Sequence, residues 1–353
     1  MDTQGSVFVL GNHVQACCWH MDRLPRAGET FQANSLTIEP GGKGLNVALG
    51  LHRLGQHVHL VLGCGRDAAG DAVVQLLREE GLDLSGVFRF DGMSGWGAGF
   101  IAADGHNAIA VYPGANLLLR AEHVCAVEAS LMASDLVYGQ FETSIEAVEQ
   151  AFAMAHGRGI CTVLNPSPWQ PVPERIRAAT RVIIANEGEA AGLLALSPLC
   201  TQTVADWALV QDWLRAGVAD VWVQWPALEV LVVTLGGLGA CVWPRPAHGG
   251  RSEAIFMPSL PVEALDTVGA GDAFATGWLV RWLSLGKPDW HSCGVIEQCL
   301  RFGHIMGAHM VGTVGVLQGL PSQSTLAAVQ TALCTAAPQC FSEASGGIGS
   351  QPA

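Results

Sequence analysis

The string Asp266-Thr267-Val268-Gly269-Ala270-Gly271-Asp272 sets two carboxylates around a glycine-rich turn, and the apolar run Ala273-Phe274-Ala275-Thr276-Gly277-Trp278-Leu279-Val280 follows directly. The run reads as a helix, so the turn lies at a helix N-terminus. Backbone N–H groups there have no intrahelical acceptor and the helix end is positive, which suits a phosphate whose charge is changing. Gly269 and Gly271 permit close approach because no Cβ intervenes. Asp272, in the first helical turn, is within reach to take a proton from a hydroxyl attacking that phosphate. Taken alone, the string also fits a capped turn whose acid the helix dipole favours.

A second glycine-rich string, Pro40-Gly41-Gly42-Lys43-Gly44-Leu45-Asn46-Val47-Ala48, also precedes an apolar helix. Asn46, one turn in, carries both donor and acceptor and can read a hydroxyl. Lys43 can pair with a phosphate. The loop is not a Walker A motif, since Thr37 stands six positions before Lys43 and Gly44 follows it. As an isolated feature it fits a tight turn equally well.

The elements that must hold these strings alternate between short apolar runs and amphipathic segments, the pattern of an α/β fold. Strands are expected at Ser6–Leu10, Val58–Leu62, Leu136–Tyr138, Ile160–Leu164, Val182–Ala185 and Leu228–Thr234. Helices are expected at Lys43–Leu54, 71–80, Ile145–His156 and 187–195. Strands separated by helices imply parallel pairing with right-handed crossovers. The extended segments Gly28–Glu39 and Gly97–Ala103/Ala108–Tyr112 break the alternation, the latter two around an Asp104-Gly105-His106-Asn107 turn. They are read as a small separate sheet. Val218–Pro226, with Trp213, Trp222 and Trp225 nearby, reads as a surface elaboration. The segment from about Cys334 lacks periodicity and is expected to be disordered.

Composition narrows the class. The 353 residues are half hydrophobic and 14% charged, enough for a large core. A net charge of −13 argues against nucleic acid or an anionic membrane as partner. Eleven cysteines, with no C-x-x-C pair, read as free thiols rather than a disulfide framework, and Cys17-Cys18-Trp19-His20 reads as buried thiols rather than metal ligands. The N-terminus lacks a basic n-region, and 302–320, uncharged but holding His304, His309 and five glycines, makes a poor membrane span. A cytoplasmic location is expected.

The two glycine strings, in this order, resemble the ribokinase or PfkB family of carbohydrate kinases. Further stretches agree in order across roughly 6–330: Gly28-Glu29-Thr30, Gly65-Arg66-Asp67-Ala68-Ala69-Gly70, Gln140-Phe141-Glu142, Asn165-Pro166-Ser167-Pro168, Asn186-Glu187-Gly188-Glu189 and Thr234-Leu235-Gly236-Gly237-Leu238-Gly239. The resemblance implies a three-layer α/β/α sandwich with a mainly parallel sheet over 1–332. It also implies a small β-sheet lid, from about 12–39 and 95–113. It implies transfer of the ATP γ-phosphoryl group to a hydroxyl of a sugar or nucleoside. Asp272 would be the base, with the backbone of Gly269, Ala270 and Gly271 as anion hole. Gly42, Lys43, Asn46 and Glu142 would hold the acceptor. Asn186 and Glu189 would organise phosphate and Mg²⁺, and Thr234, Gly236 and Gly239 would border the nucleotide. Asp266, the Val268 carbonyl and the loop at Gly315 correspond to a monovalent-cation site, for K⁺. A homodimer through the lid is a further expectation, because an open β edge invites a partner strand.

One departure bears on substrate. Where ribokinases carry an Asn-x-Asp sequence whose acid grips two sugar hydroxyls, this chain has Val14-Gln15-Ala16. Losing such a buried partner costs a few kcal/mol of binding, which puts ribose in doubt. His13, Gln15 or His20 are candidate replacements, and equally candidates for lid or core positions. Two rival readings stay open: a non-catalytic sugar or nucleotide sensor on the same fold, and a dinucleotide-binding oxidoreductase. The second rests on Gly63-Cys64-Gly65-Arg66-Asp67-Ala68, which spells G-x-G-x-x-A between a strand and a helix.

Overall fold

Val7, Phe8, Val9 and Leu10 have no exposed surface, so β1 (Ser6–Leu10) runs through the middle of the molecule. Val7 and Val9 join one apolar cluster, Phe8 and Leu10 another, because successive strand residues point to opposite faces. The computed structural model describes residues 4–104, 107–196, 217–246, 253–292 and 294–327. After β1 come β2 (Val14–Met21), β3 (Ser35–Gly41), α1 (Lys43–Arg53), β4 (His57–Gly65), α2 (Ala68–Glu79), β5 (Val87–Phe90), β6 (Gly95–Ala102) and β7 (Asn107–Tyr112). They are followed by α3 (Ala121–Ala126), α4 (Glu128–Met132), β8 (Leu136–Gln140), α5 (Ile145–His156), β9 (Cys161–Asn165), α6 (Glu174–Ala179), β10 (Val182–Asn186) and α7 (Glu187–Leu193). A helix α8 over 217–224 leads to β11 (Val230–Thr234), β12 (Gly239–Pro244), β13 (Ile255–Pro258), α9 (Ala270–Ser284), α10 (Val295–Val311) and α11 (Val316–Gly319).

Nine strands form one sheet in the order β13-β12-β11-β10-β9-β8-β1-β4-β5. Pairing is parallel from β11 to β5 and antiparallel at β11/β12 and β12/β13. One face packs against α1, α2, α9 and α10 through Leu45, Leu49, Val73, Phe274, Trp278 and Met306. The other packs against α5, α6 and α7 through Val148, Phe152, Ile176 and Leu193. These are the three expected layers. Runs such as Val-Ile-Ile-Ala in β10 and Val-Leu-Val-Val in β11 are uniformly buried, as parallel strands covered on both faces must be. The antiparallel extension through β12 and β13 is a feature the alternation did not signal.

A second sheet, β3-β2-β6-β7, stands apart as expected, but its strands are redistributed. The extended segment begins at Ser35, not Gly28, and β2, which the residue pattern does not mark but which falls within the 12–39 span that the resemblance gives to the lid, is a central strand of it. Residues 23–29 instead close a turn in which Arg23 pairs with Glu29. β6 and β7 form the expected antiparallel hairpin; its tip at 105–106 lies outside the described residues, as do Trp213 and the C-terminal segment. The reading of 218–226 as a surface elaboration holds for one face only: Val223 is 81% exposed, while Val221 and Trp225 are each 2% exposed and belong to the second core. Among the described residues no helix is long and apolar enough to cross a membrane.

Candidate active site

The glycine string after β11 lies at the carboxyl end of a parallel strand, and Gly42 and Gly44 at the head of α1 pack against the carboxyl end of β1, the edge where open α/β sheets place their ligand crevice. β1 ends in Gly11-Asn12. Asn12 stands between two loops: its Nδ2 donates to Glu142 Oε2 at 2.7 Å, and its Oδ1 accepts from the Gly44 N–H at 2.9 Å. The approach is close enough that a Cβ at Gly44 would lie 2.6 Å from Gly11 Cα. Gly42, with φ of 128°, lies equally tight on Asn12. Both glycines at the head of α1 are therefore required by packing before any ligand is considered. β8 delivers Glu142 through Gln140, whose Oε1 accepts the Glu142 N–H, and the Phe141 N–H donates to the Ser167 carbonyl at 2.9 Å.

Across from this wall, the turn before α9 supplies Asp272. The N-cap, Gly269, is left-handed at φ 80°, and a Cβ there would meet Val316 Cγ1 at 2.9 Å. Asp272 is 8% exposed, and its Oδ2 accepts from Asn46 Nδ2 at 2.7 Å. Burial pushes its carboxyl above the ordinary aspartate value, while the Lys43 ammonium and the Asn46 hydrogen bond pull it back and the Glu189 charge adds to the rise. Burial acts on Lys43 in the opposite sense, but Asp272, Glu142 and Glu189 surround it and hold its ammonium above the usual lysine range. Glu142 is raised by burial too, with Lys43 opposing. The Lys43 charge thus opposes the rise that burial imposes on both Asp272 and Glu142. Asn46 Oδ1 is buried with no partner, an acceptor left for a hydroxyl.

Ala270 and Gly271 open onto a cavity of about 470 Å³, also lined by Thr234, Gly236, Gly239, Phe274 and His304. A Cβ at Gly236, Gly237 or Gly271 would touch nothing, so these glycines border open space. The Ala270 N–H is turned toward the Thr267 carbonyl at 3.3 Å; as an anion donor it must give up that weak contact. Asn186 and Glu189 form a reciprocal capping box on α7: the Asn186 N–H donates to Glu189 Oε2 at 3.0 Å and the Glu189 N–H to Asn186 Oδ1 at 2.9 Å. That use is structural, yet the Glu189 carboxylate still acts electrostatically on Lys43 and Asp272. Asp266 Oδ1 accepts the Val268 N–H at 2.9 Å. Gly315, at φ 85°, opens the neighbouring turn, where Glu39 of the lid accepts the Val316 N–H at 3.0 Å.

Three residues escaped the sequence reading. Asn12 carried a signal, since a polar residue just past a buried strand lies at the crevice by topology. Glu39 has its signal only in the pairing of β3. His304 is 7% exposed and lines the cavity. Burial lowers it to about 4, so it is neutral at pH 7, and its Nε2 has no partner; one histidine in an apolar helix announces none of this. Gly28-Glu29-Thr30 and Gly65–Gly70 are structural here. Asp67 caps α2 by accepting the Gly70 N–H at 2.8 Å and also accepts the Ser94 N–H at 2.8 Å. A carboxylate thus occupies the helix N-terminus where a dinucleotide's pyrophosphate would sit, which removes the physical basis of the oxidoreductase reading. A larger cavity, about 540 Å³, lies at the opposite strand ends; its Arg181 and Lys287 already pair with Glu229 and Asp135.

A family model described as pfkB family carbohydrate kinase matches residues 6–323. A ribokinase of Haemophilus influenzae is 30% identical over 303 residues, covering 85% of this chain and 90% of that one. The solved ribokinase of Giardia lamblia superposes with a TM-score of 0.78 at 22% identity, covering 94% of this chain and 99% of its own. An Arabidopsis thaliana ribokinase, solved with ribose and ATP, gives 0.75 at 21% identity over 93% and 99%.

Asn12→Ala removes the partner of Glu142 and of the Gly44 N–H at once. It is expected to cost about 1–3 kcal/mol of stability in urea unfolding; an unchanged midpoint would show that the Asn12 bridge carries no weight.

Proposed function

We propose that this chain, which belongs to the pfkB family of carbohydrate kinases, moves the γ-phosphoryl group of ATP to a hydroxyl of a sugar or sugar-like acceptor, with Asp272 as the base. The observation that carries the reading is the Asn46–Asp272 hydrogen bond, which fixes one carboxylate oxygen at 2.7 Å and leaves the other for the acceptor hydroxyl. Asp272 takes the hydroxyl proton, the oxygen forms a bond to the γ-phosphorus, the bond to the β,γ-bridging oxygen breaks, and ADP leaves. Phosphoryl transfer needs alignment and neutralised oxygen charge more than covalent help. Lys43 supplies charge beside the base, and the backbone at Gly269, Ala270 and Gly271 supplies N–H donors as charge develops.

Acceptor hydroxyls would be held by Gly42, Asn46 and Glu142, with Asn12 setting the Glu142 carboxylate. The nucleotide would lie along Thr234, Gly236 and Gly239, its base near Phe274 and the neutral His304. Glu189 has a carboxylate oxygen beyond the one its cap uses, and with Asn186 at the same strand end it suits Mg²⁺ held through water; bound there, Mg²⁺ would neutralise phosphate charge. Asp266 likewise has an oxygen beyond the Val268 contact, and its charge acts on Glu39 at the Gly315 turn. Such an oxygen-rich corner suits a monovalent cation such as K⁺. The described cysteines are free, and most are buried, which supports work in a reducing cytoplasm.

The lid's outer face leaves Leu36, Ile38 and Tyr112 about half exposed, and we infer a homodimer in which a second copy covers it. Sedimentation at micromolar concentration is expected to return a dimer; a monomer there contradicts this part. For the chemistry, Asp272→Asn is expected to keep ATP and acceptor binding in calorimetry while turnover falls about 10²–10⁴-fold. Near-normal turnover would remove Asp272 from its role.

A further inference from the structure

Val316 makes two contacts in opposite directions. Its N–H donates to Glu39 Oε1 at 3.0 Å, across 277 positions of the chain. Its side chain lies over Gly269, so close that a Cβ there would meet Val316 Cγ1 at 2.9 Å and Cγ2 at 3.3 Å. Glu39 belongs to β3 of the lid, and Gly269 is the N-cap of α9. One residue therefore stands between the lid and the turn proposed to receive the transferring phosphate.

The segment around Val316 is fixed from the main domain as well. Arg53 on α1 donates through Nη1 to the Leu317 and Leu320 carbonyls, while its Nε donates to Glu80 Oε2 at 3.0 Å. The turn before α9 leans on the same segment a second time, since the Leu265 and Asp266 N–H groups donate to the Val311 carbonyl at 2.9 and 3.2 Å. Gly315, which opens α11, has no side chain to accept the first N–H groups of that helix, and the lid carboxylate takes that part. A Cβ at Gly315 would lie 3.9 Å from both Glu39 oxygens. The placement has a cost. Burial pushes the Glu39 carboxyl up, the Asp266 charge adds to the rise, and the Val316 and Leu317 N–H groups oppose it.

We infer that Glu39 and Val316 are positioning residues for phosphoryl transfer: the lid carboxylate seats Val316, Val316 seats Gly269, and the N–H groups of 269–271 keep their direction only while both contacts are made. This rests on the kinase reading and adds to it two residues that act through the turn rather than on phosphate or acceptor. A packed contact transmits a shift because it has few intermediate arrangements. Without Glu39, the Val316 N–H loses its acceptor and its turn relaxes. Gly269, left-handed at φ 80°, then loses the side chain that presses it into place. Donors aimed at developing charge act in the transition state, so the loss falls on kcat rather than on ATP binding.

The test compares the wild type with Glu39→Ala, Glu39→Gln and Val316→Ala. Amide hydrogen exchange is measured in each, with melting temperatures to check folding. Steady-state kinetics use ATP and the best acceptor among ribose, 2-deoxyribose, fructose and adenosine. In Glu39→Ala, exchange over 268–272 is expected to rise about ten-fold, although the bond removed is to Val316 and not to that stretch. Glu39→Gln, whose amide oxygen can still accept the Val316 N–H, is expected to recover most of the protection. Val316→Ala keeps its N–H, so exchange is expected to rise over 268–272 while β2 and β3 stay as in the wild type; this variant keeps the test open if Glu39→Ala fails to fold. In both alanine variants kcat is expected to fall about ten-fold, with the KM for ATP within about two-fold. Unchanged exchange over 268–272 in either alanine variant, a Glu39→Gln no better than Glu39→Ala, or a KM for ATP that rises as far as kcat falls overturns the inference. If exchange responds as expected but no acceptor is phosphorylated, the seating of the turn stands and the kinase reading fails. If transfer proceeds and exchange is indifferent, the kinase reading stands and this inference fails.

Discussion

A carboxylate buried at a helix N-terminus, with an ammonium beside it, is the constraint around which the crevice is built. Burial alone would favour the protonated form of Asp272, and a protonated acid cannot take a proton. Lys43 and Asn46 oppose that tendency, yet Lys43 itself tolerates burial only because Asp272, Glu142 and Glu189 surround it. Asp272 and Lys43 thus each counter the effect of burial on the other. Removing one partner of such a set leaves an uncompensated buried charge, which costs more than a lost surface pair.

The rest of the fold can be read as what brings those groups together. They come from chain positions between 43 and 272, and only a parallel sheet gathers the ends of so many distant segments on one edge. Uniformly apolar strands with helices on both faces fix that edge. Asn12 then ties the exit of β1 to α1 and to the loop after β8. The lid is tied to the main domain at the Glu39–Val316 contact and at the Asp67–Ser94 contacts where β6 begins. On the proposed reading, a sheet anchored at those two corners would exclude water, which otherwise would compete as acceptor.

Much of this was legible in the sequence. The Asp266–Asp272 and Gly42–Asn46 strings announced both helix N-termini, and the regular alternation after residue 136 announced the parallel sheet. What escaped has physical reasons. β2 reads Val-Gln-Ala-Cys-Cys-Trp-His-Met, and neither lid face is uniformly polar or apolar, so period-2 alternation has nothing to register. Trp225 and Val221 are buried by contacts distant in sequence, and a tryptophan-rich segment carries no local sign of which side it buries. Asn186 and Glu189, which the resemblance gives to phosphate and Mg²⁺, also cap α7; a four-residue capping pattern and a ligand pattern look alike in one dimension. His304 acquires its character from burial alone.

The central claim, that the buried Asp272 is the base and that Lys43 opposes its protonation, is tested most directly by the pH dependence of kcat/KM. Asp272 must be ionised to act, and its folded-state value lies above the ordinary one, so activity should fall with acid through a limb above the usual aspartate range. Lys43 lowers that value, so Lys43→Met should move the limb to higher pH while leaving measurable turnover. A profile flat through the ordinary aspartate range, or a limb that Lys43→Met leaves where it was, would contradict the account.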